Sequence, residues 1–480
     1  MKHWLRFLVP VAVVAGLASL PALADVYIHM KDGRVIIVPA DRDAIDRIEI
    51  LPNDAKPSQE DQQEQKSEQP AETDQQGSAQ KQGEPTLPVA GESGPGLPKG
   101  GEFRQNQIAP ARQSQIAPPQ GPQTYRIGPD QTYKRPSQVV EIAHDGDTIE
   151  IEAGTYVDDF AEWEQNNLTL KAIGGRAHLK ATETIPNEKA IWIIKGDNVT
   201  VENIEFSGAR VNDGNGAGIR AEGGKLTIRN SSFHNNEFGI LSDDRGRGDI
   251  DIENSEFYHQ HRQDTYAHNI YIGHAVKFRL VGSYVYGADL GHQVKSRALE
   301  NYIAYNRIMD GKGGNGSYAI DLSNCGTAYI IGNVIQQSPD SDNYTAIAYG
   351  AEGCPQGRPR NAYVVNNTFV NDAPLGTFIT NHVDQPVLAR NNLIVGIAKL
   401  ASGAVKDDNN LLELRESFVD RANYDFHLNR NSSAINKGIP PGKADTGVSL
   451  VPELEYKAPV GTEKRPKVGK IDLGAFEYVP

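Results

Sequence analysis

Methionine and tryptophan are scarce in this chain, with three of each in 480 residues, and there are only two cysteines. Positive charge is also short: 48 Lys and Arg stand against 62 Asp and Glu, a formal net of −14. An acidic chain is a poor non-specific partner for nucleic acid or phosphate-rich surfaces. No basic run is interleaved with aromatics, so nucleic acid is not expected as a partner. Beyond residue 24 no stretch is apolar enough to span a membrane. Neither a phosphate-binding loop nor a dinucleotide fingerprint occurs. No aromatic lies between Tyr27 and Phe103, so that region lacks the means to collapse on a core. What is abundant is glycine, 47 residues, which suits many turns and short strands better than a helical bundle.

The chain opens with Lys2 and Arg6, an apolar core from Phe7 to Leu20, and Ala22-Leu-Ala24 before Asp25. This pattern predicts a signal peptide over residues 1–24, and hence a secreted or periplasmic protein. Its loss removes two positive charges and no acids, taking −14 to −16. No Cys follows the cut, which argues against a lipid anchor. Residues 25–52 predict a hairpin with a turn at Lys31-Asp-Gly-Arg34, followed by a helix over Asp41 to Ile50. So small a unit cannot bury a useful core alone, which makes it a candidate for docking a partner. Residues 53–123 are rich in Gln, Glu, Pro, Ser and Gly and predict a disordered linker.

From residue 124 to 480 the character changes. Ser137 to Ala143 reads as a short amphipathic helix N-capped by Ser137, placed to cover the first rung of a solenoid. A repeat follows. Asn203-Ile-Glu-Phe206, Asn230-Ser-Ser-Phe233, Asn254-Ser-Glu-Phe257, Gly282-Ser-Tyr-Val285, Tyr305-Asn-Arg-Ile308, Gly332-Asn-Val-Ile335, Asn366-Asn-Thr-Phe369 and Asn391-Asn-Leu-Ile394 align. Asn suits left-handed turns, and stacked Asn side chains can bond one another along a solenoid. A second column runs in phase through Ile219, Ile240, Ile270, Val294, Ile320 and Ile347. Both columns alternate with period two, which excludes a helical repeat.

The pattern resembles the right-handed parallel β-helix of the pectate-lyase-like superfamily. Gly146-Asp-Thr-Ile and Ala153-Gly-Thr-Tyr156 are similar to the usual opening of that domain. Ser433-Ala-Ile-Asn-Lys-Gly438 and Asp472-Leu-Gly-Ala-Phe-Glu477 are similar to its usual close. The implied fold is all-β: a right-handed parallel β-helix with an N-terminal capping helix, preceded by the linker and the hairpin unit. The superfamily holds polysaccharide lyases, uronate epimerases, glycoside hydrolases and proteins without known activity, and fold does not choose among them.

In register, Arg220, Leu241, Tyr271, Lys295, Asp321 and Ala348 follow the inward residues and point outward. Rungs are about 4.8 Å apart, so Tyr271, Lys295 and Asp321 should be neighbours, with Arg297 on the same face. His268, His292 and Tyr318 fall together where these strands begin. Such a cationic patch on a long sheet suits an acidic, uronate-containing polysaccharide. In a β-elimination Arg297 would neutralise the carboxylate, Lys295 would take the adjacent proton, and His292, His268 or Tyr271 would supply the acid. The same set would serve a C5 epimerase. Asn269, His274, Tyr318 and Asp321 are the candidates for substrate contact. Val294-Lys295-Ser296 resembles the catalytic strand of chondroitinase-B-like and alginate lyases, which implies Lys295 as base. Those enzymes carry an Arg one rung later and bind calcium. Here that position is Asp321, and no clear calcium set surrounds it, so no cofactor is assigned. A non-catalytic carbohydrate-binding or scaffold protein is the alternative.

A glycoside hydrolase is the third class. It needs carboxylates roughly 5 to 9.5 Å apart, whereas Asp243 and Asp321 are three rungs, about 14 Å, apart. The histidines lack tight zinc-motif spacing, so no metal site is expected. Cys325 and Cys354 lie 29 residues apart, near one repeat, and are either bridged between rungs or two buried thiols.

Overall fold

The computed structural model describes the backbone of residues 24–29 and 35–40, and residues 121–480 except Gly246, Arg247 and Asp264. The predicted signal-peptide core, Lys31–Arg34 turn, Asp41–Ile50 helix and most of the linker lie outside the described residues. The chain divides into two units, Met1–Ser67 and Glu68–Pro480. In the first, Ala24–His29 and Val35–Ala40 pair antiparallel, with Tyr27 opposite Ile37, as a hairpin requires.

The described part of the second unit, from residue 121 on, is built on a parallel β-solenoid. One column is a ten-stranded sheet running from Ala161–Trp163 to Lys399–Ser402. Two further columns join into one larger sheet, because each turn bends sharply between them rather than breaking. Val199–Glu202 and Ile204–Ser207 are such a pair, separated by Asn203. The bend residue is left-handed on successive turns: φ is 60° at Asn203, 52° at Asn230, 48° at Asn254 and 53° at Asn366. Gly282 and Gly332 take the same conformation, at 63° each, where a side chain would be strained.

The repeat alignment is the observed register. Phe206, Phe233 and Phe257 are paired rung by rung and continue as Val285, Ile308, Ile335, Phe369 and Ile394. Phe233 and Phe257 stack with centroids 4.6 Å apart and planes 2° from parallel. From Ser231 onward the residue after each bend turns inward, and on the later turns asparagines there build a polar ladder. Asn306 donates to Asn333, Asn333 to Asn367 and Asn367 to Asn392, each at 3.0 Å. All four are fully buried, so the ladder satisfies amides that would otherwise each cost about 1–3 kcal/mol.

The capping helix is shorter than expected. Only the 3-10 turn Pro136–Val139 forms, with Arg135, not Ser137, at the N-cap. The β-branched Val139, Val140 and Ile142 have little helix preference. Ser137 instead bonds Asp159 through its hydroxyl, 2.5 Å, and its amide, 3.2 Å. At the other end Gly438 N–H donates to the Ile471 carbonyl, 2.8 Å, and the Asp472 carboxylate accepts from the Asn436 amide, 2.5 Å. The two closing motifs are thus bonded to each other.

Candidate active site

Each strand of the ten-stranded sheet alternates one inward and one outward residue. Ile219, Ile240, Ile270, Val294, Ile320 and Ile347 fill the core. Their successors are paired in order: Arg220 with Leu241, Leu241 with Tyr271, Tyr271 with Lys295, Lys295 with Asp321, Asp321 with Ala348. The predicted neighbours are therefore neighbours.

These side chains do not form an open patch. Lys295 is 0% exposed, Asp321 and His292 2%, His268 4%, Tyr271 6% and Arg297 8%. The cover is the loop after strand Thr345–Tyr349. Its Glu352 amide donates to the Ser323 carbonyl, 2.9 Å, and its Cys354 is disulfide-bonded to Cys325, with Cα atoms 5.5 Å apart. Arg358 of the same loop donates to the Arg297 carbonyl.

Glu352 is the centre of the arrangement. Arg297 holds it bidentately, Nε to Oε2 at 3.0 Å and Nη2 to Oε1 at 2.9 Å. Lys295 Nζ lies 3.0 Å from the same Oε1 and 3.6 Å from Asp321 Oδ2. Two cations and two carboxylates thus balance one another: Lys295, Arg297 and Asp321 are buried, where an unpaired ion would cost several kcal/mol, while the Glu352 side chain stays partly in solvent. Burial pushes the Glu352 carboxyl up, but Lys295 and Arg297 outweigh it and hold the group below its ordinary value. Asp321 Oδ2 also accepts from Ser323 Oγ, 2.5 Å. The Lys295–Asp321 pair is therefore an interior one, not an exposed surface pair.

An aromatic stack borders the cluster. His268 and His292 are 4.8 Å apart, and His292 and Tyr318 4.9 Å. Each ring is oriented by the next rung. His268 Nδ1 accepts from the His292 amide, 2.8 Å, and His292 Nδ1 from the Tyr318 amide, 3.2 Å. With Nδ1 accepting, the ring proton sits on Nε2. That aims the His292 N–H at Asp321, 3.7 Å away. Tyr271 accepts a hydrogen bond from Arg297 and lies under Lys295, whose nitrogen is 5.6 Å from the ring centroid.

Two predicted contact residues lie elsewhere. Asn269 is fully buried inside the coil, donating to Gln293 at 2.7 Å and accepting from Gln260 at 3.1 Å. His274 turns to Asp244 on the preceding turn. Conversely, sequence reasoning missed Glu352, Arg358 and His382. His382 is electrostatically coupled to Asp321; burial lowers its pKa and Asp321 partly offsets this. The only sequence signal for Glu352 was its place two residues before Cys354. Away from this face, His178, Glu205 and His234 converge from three successive turns, although no metal site was expected from their spacing. No helix is long and apolar enough to cross a membrane among the described residues.

No protein-family model matches the chain, and no curated protein matches it significantly. Solved structures do. Pectate lyase Pel9A superposes with a TM-score of 0.53 at 16% identity, over 74% of this chain and 96% of its own. A PL6 alginate lyase in complex with a trisaccharide gives 0.32 at 16% identity, over 63% and 64%. The PL6 alginate lyase AlyGC gives 0.27 at 16% identity, over 72% and 59%. At such identity the likeness to Pel9A is one of fold. With its parallel register and three-strand turns, the chain has the parallel β-helix fold of the pectate-lyase-like proteins.

Proposed function

We propose that this is an exported β-helix protein that acts on a uronate-containing polysaccharide by β-elimination at the Lys295–Arg297 cluster. The observation that carries the reading is the joint grip of Arg297 and Lys295 on one carboxylate, that of Glu352. A uronate carboxylate presents the same two oxygens, so substrate takes the place of Glu352 when the loop moves aside. Arg297 then neutralises the carboxylate, which acidifies the adjacent C–H. Lys295 acts as the base only as the free amine: once Glu352 has left, its ammonium gives up a proton to solvent, and the neutral nitrogen then takes the C–H proton. Tyr271 serves the leaving oxygen, because its own oxygen accepts from Arg297 and its O–H stays available to donate. The fold shared with pectate lyase Pel9A supports the substrate class and not the residue roles.

One observation favours binding without turnover: Lys295 is wholly buried between two carboxylates. The test is incubation of the mature protein with pectate, alginate and glycosaminoglycans. Ultraviolet absorbance from an unsaturated uronate end supports elimination. Retarded migration in a polysaccharide gel without product supports the binding reading. New reducing ends without the absorbance would mean hydrolysis and would overturn the proposal.

A further inference from the structure

The face formed by Ala177–Lys180 of strand Thr169–Lys180 and the following strands has its own cluster, remote in sequence from Lys295. Strand Ile204–Ser207 sends Ile204 and Phe206 into the core and Glu205 and Ser207 outward. His178 pairs with Glu205 from the turn before, and His234 pairs with Ser207 from the turn after. One carboxylate and two imidazoles thus meet across three turns.

Their ligand atoms lie within 4.8 Å of one another. His234 Nε2 is 3.0 Å and His178 Nε2 3.5 Å from the same oxygen, Glu205 Oε1. Ligands on a tetrahedral zinc ion, bound at about 2.0–2.1 Å, stand about 3.3 Å apart. The Glu–His separations already have that value, and only the two rings need to close. Their centroids are 5.9 Å apart and tilted by 40°.

The surroundings fit a metal better than a plain ion pair. Each side chain is part-exposed, 23% for His178, 27% for Glu205 and 14% for His234, so an ion can enter from solvent. The His234 ring is fixed by Tyr258, stacked at 4.9 Å and 10°. Its Nδ1 meets the Asn235 side-chain amide at 3.0 Å. Turning that amide over puts its oxygen on an Nδ1–H and frees the Nε2 lone pair for a metal. Ser207 Oγ, 2.7 Å from His178 Nε2, is placed to hold a water in the fourth position. Lys180 and Arg176 flank the site as cations, and Glu256, 4.0 Å from Arg176, offsets one of them.

We infer that His178, Glu205 and His234 form a site for a divalent transition ion of the zinc class, clipping three successive turns of the solenoid. Two imidazoles and one carboxylate select such an ion over calcium or magnesium, which prefer all-oxygen shells. The site is independent of the Lys295 reading.

Titration of the chelator-stripped full chain with Zn²⁺ tests it, with Co²⁺ as a spectroscopic probe. One Zn²⁺ per chain should bind, Co²⁺ should give the visible bands of a tetrahedral site, and Zn²⁺ should raise the melting temperature. Glu205→Gln and His234→Gln should each weaken binding at least about tenfold. His427→Gln, which alters an exposed histidine paired with Asp425, should leave it unchanged. The melting temperature of each metal-free variant reports whether it is folded. Absence of saturable binding to wild type, or binding that survives both Glu205→Gln and His234→Gln, overturns the assignment.

Discussion

Arg297 and Glu352 are 55 residues apart in sequence and are joined by a bidentate ion pair over the outer face of the ten-stranded sheet. The loop that brings Glu352 there is tied down two residues later by the Cys325–Cys354 bond. Closing a loop of that length stabilises the chain by about 3–4 kcal/mol. Replacing both cysteines with serine should therefore lower stability by that order. It should also speed hydrogen exchange at the Glu352 amide, which donates to Ser323. Unchanged exchange at Glu352 would show that the loop is held without the disulfide.

Lys295 and Asp321 make a second prediction. Removing one partner of a buried pair leaves the other charge uncompensated, at a cost of about 3–5 kcal/mol. Lys295→Met should show that loss in urea unfolding. Lys295→Met with Asp321→Leu should recover much of it, since the second change removes the stranded carboxylate. A double variant as unstable as the sum of the singles would rule out direct coupling.

Acid and base behaviour separate two sets of carboxyls. Burial raises Asp310 to about 6 and Glu455 to about 7, against about 3.9 and 4.3 unfolded. Their folded values are raised, so their contribution is present below the unfolded values and lost as pH climbs through the folded ones. Asp310 accounts for about 3 kcal/mol and Glu455 for about 4 kcal/mol. Glu352 runs the other way, because its folded pKa is depressed: its contribution is present above the unfolded value and lost as pH falls through the folded one. Urea midpoints should fall from about pH 4.5 to about pH 7.5. Glu455→Gln should flatten the upper part of that slope, since its side-chain oxygen can still accept the Glu477 amide. A flat wild-type profile would contradict the burial of these acids.

The asparagine ladder predicts a cost with no link to any site. Asn333 receives from Asn306 and donates to Asn367 and to the Ile303 carbonyl. Asn333→Ala strands polar groups on both neighbouring turns and should destabilise by about 2–4 kcal/mol. A loss below about 1 kcal/mol would mean that water replaces the amide in the core.

The solenoid was legible in the sequence because its register is written locally. Each bend needs a left-handed residue, and Asn203, Asn230 and Asn254 advertise it one turn apart. The same register placed Tyr271, Lys295 and Asp321 side by side. It could not show that Glu352 would fold over them. Loop Gly350–Arg358 obeys no period, and its position depends on bonds to Ser323, Cys325 and Arg297. Asn269 was misplaced for a related reason: at a strand start its polar side chain looked outward-facing, yet it completes an internal ladder with Gln260 and Gln293. The convergence of His178, Glu205 and His234 has no local spacing to reveal it, because the three residues lie on successive turns and not within one strand.

The reading proposed above makes Lys295 and Arg297 a receptor for a uronate carboxylate, with Glu352 in its place. Calorimetric titration of a uronate trisaccharide into wild type, Glu352→Ala and Lys295→Ala tests it most directly. Binding should be at least about tenfold tighter to Glu352→Ala than to wild type, with none measurable to Lys295→Ala. Equal affinity in all three proteins would contradict it.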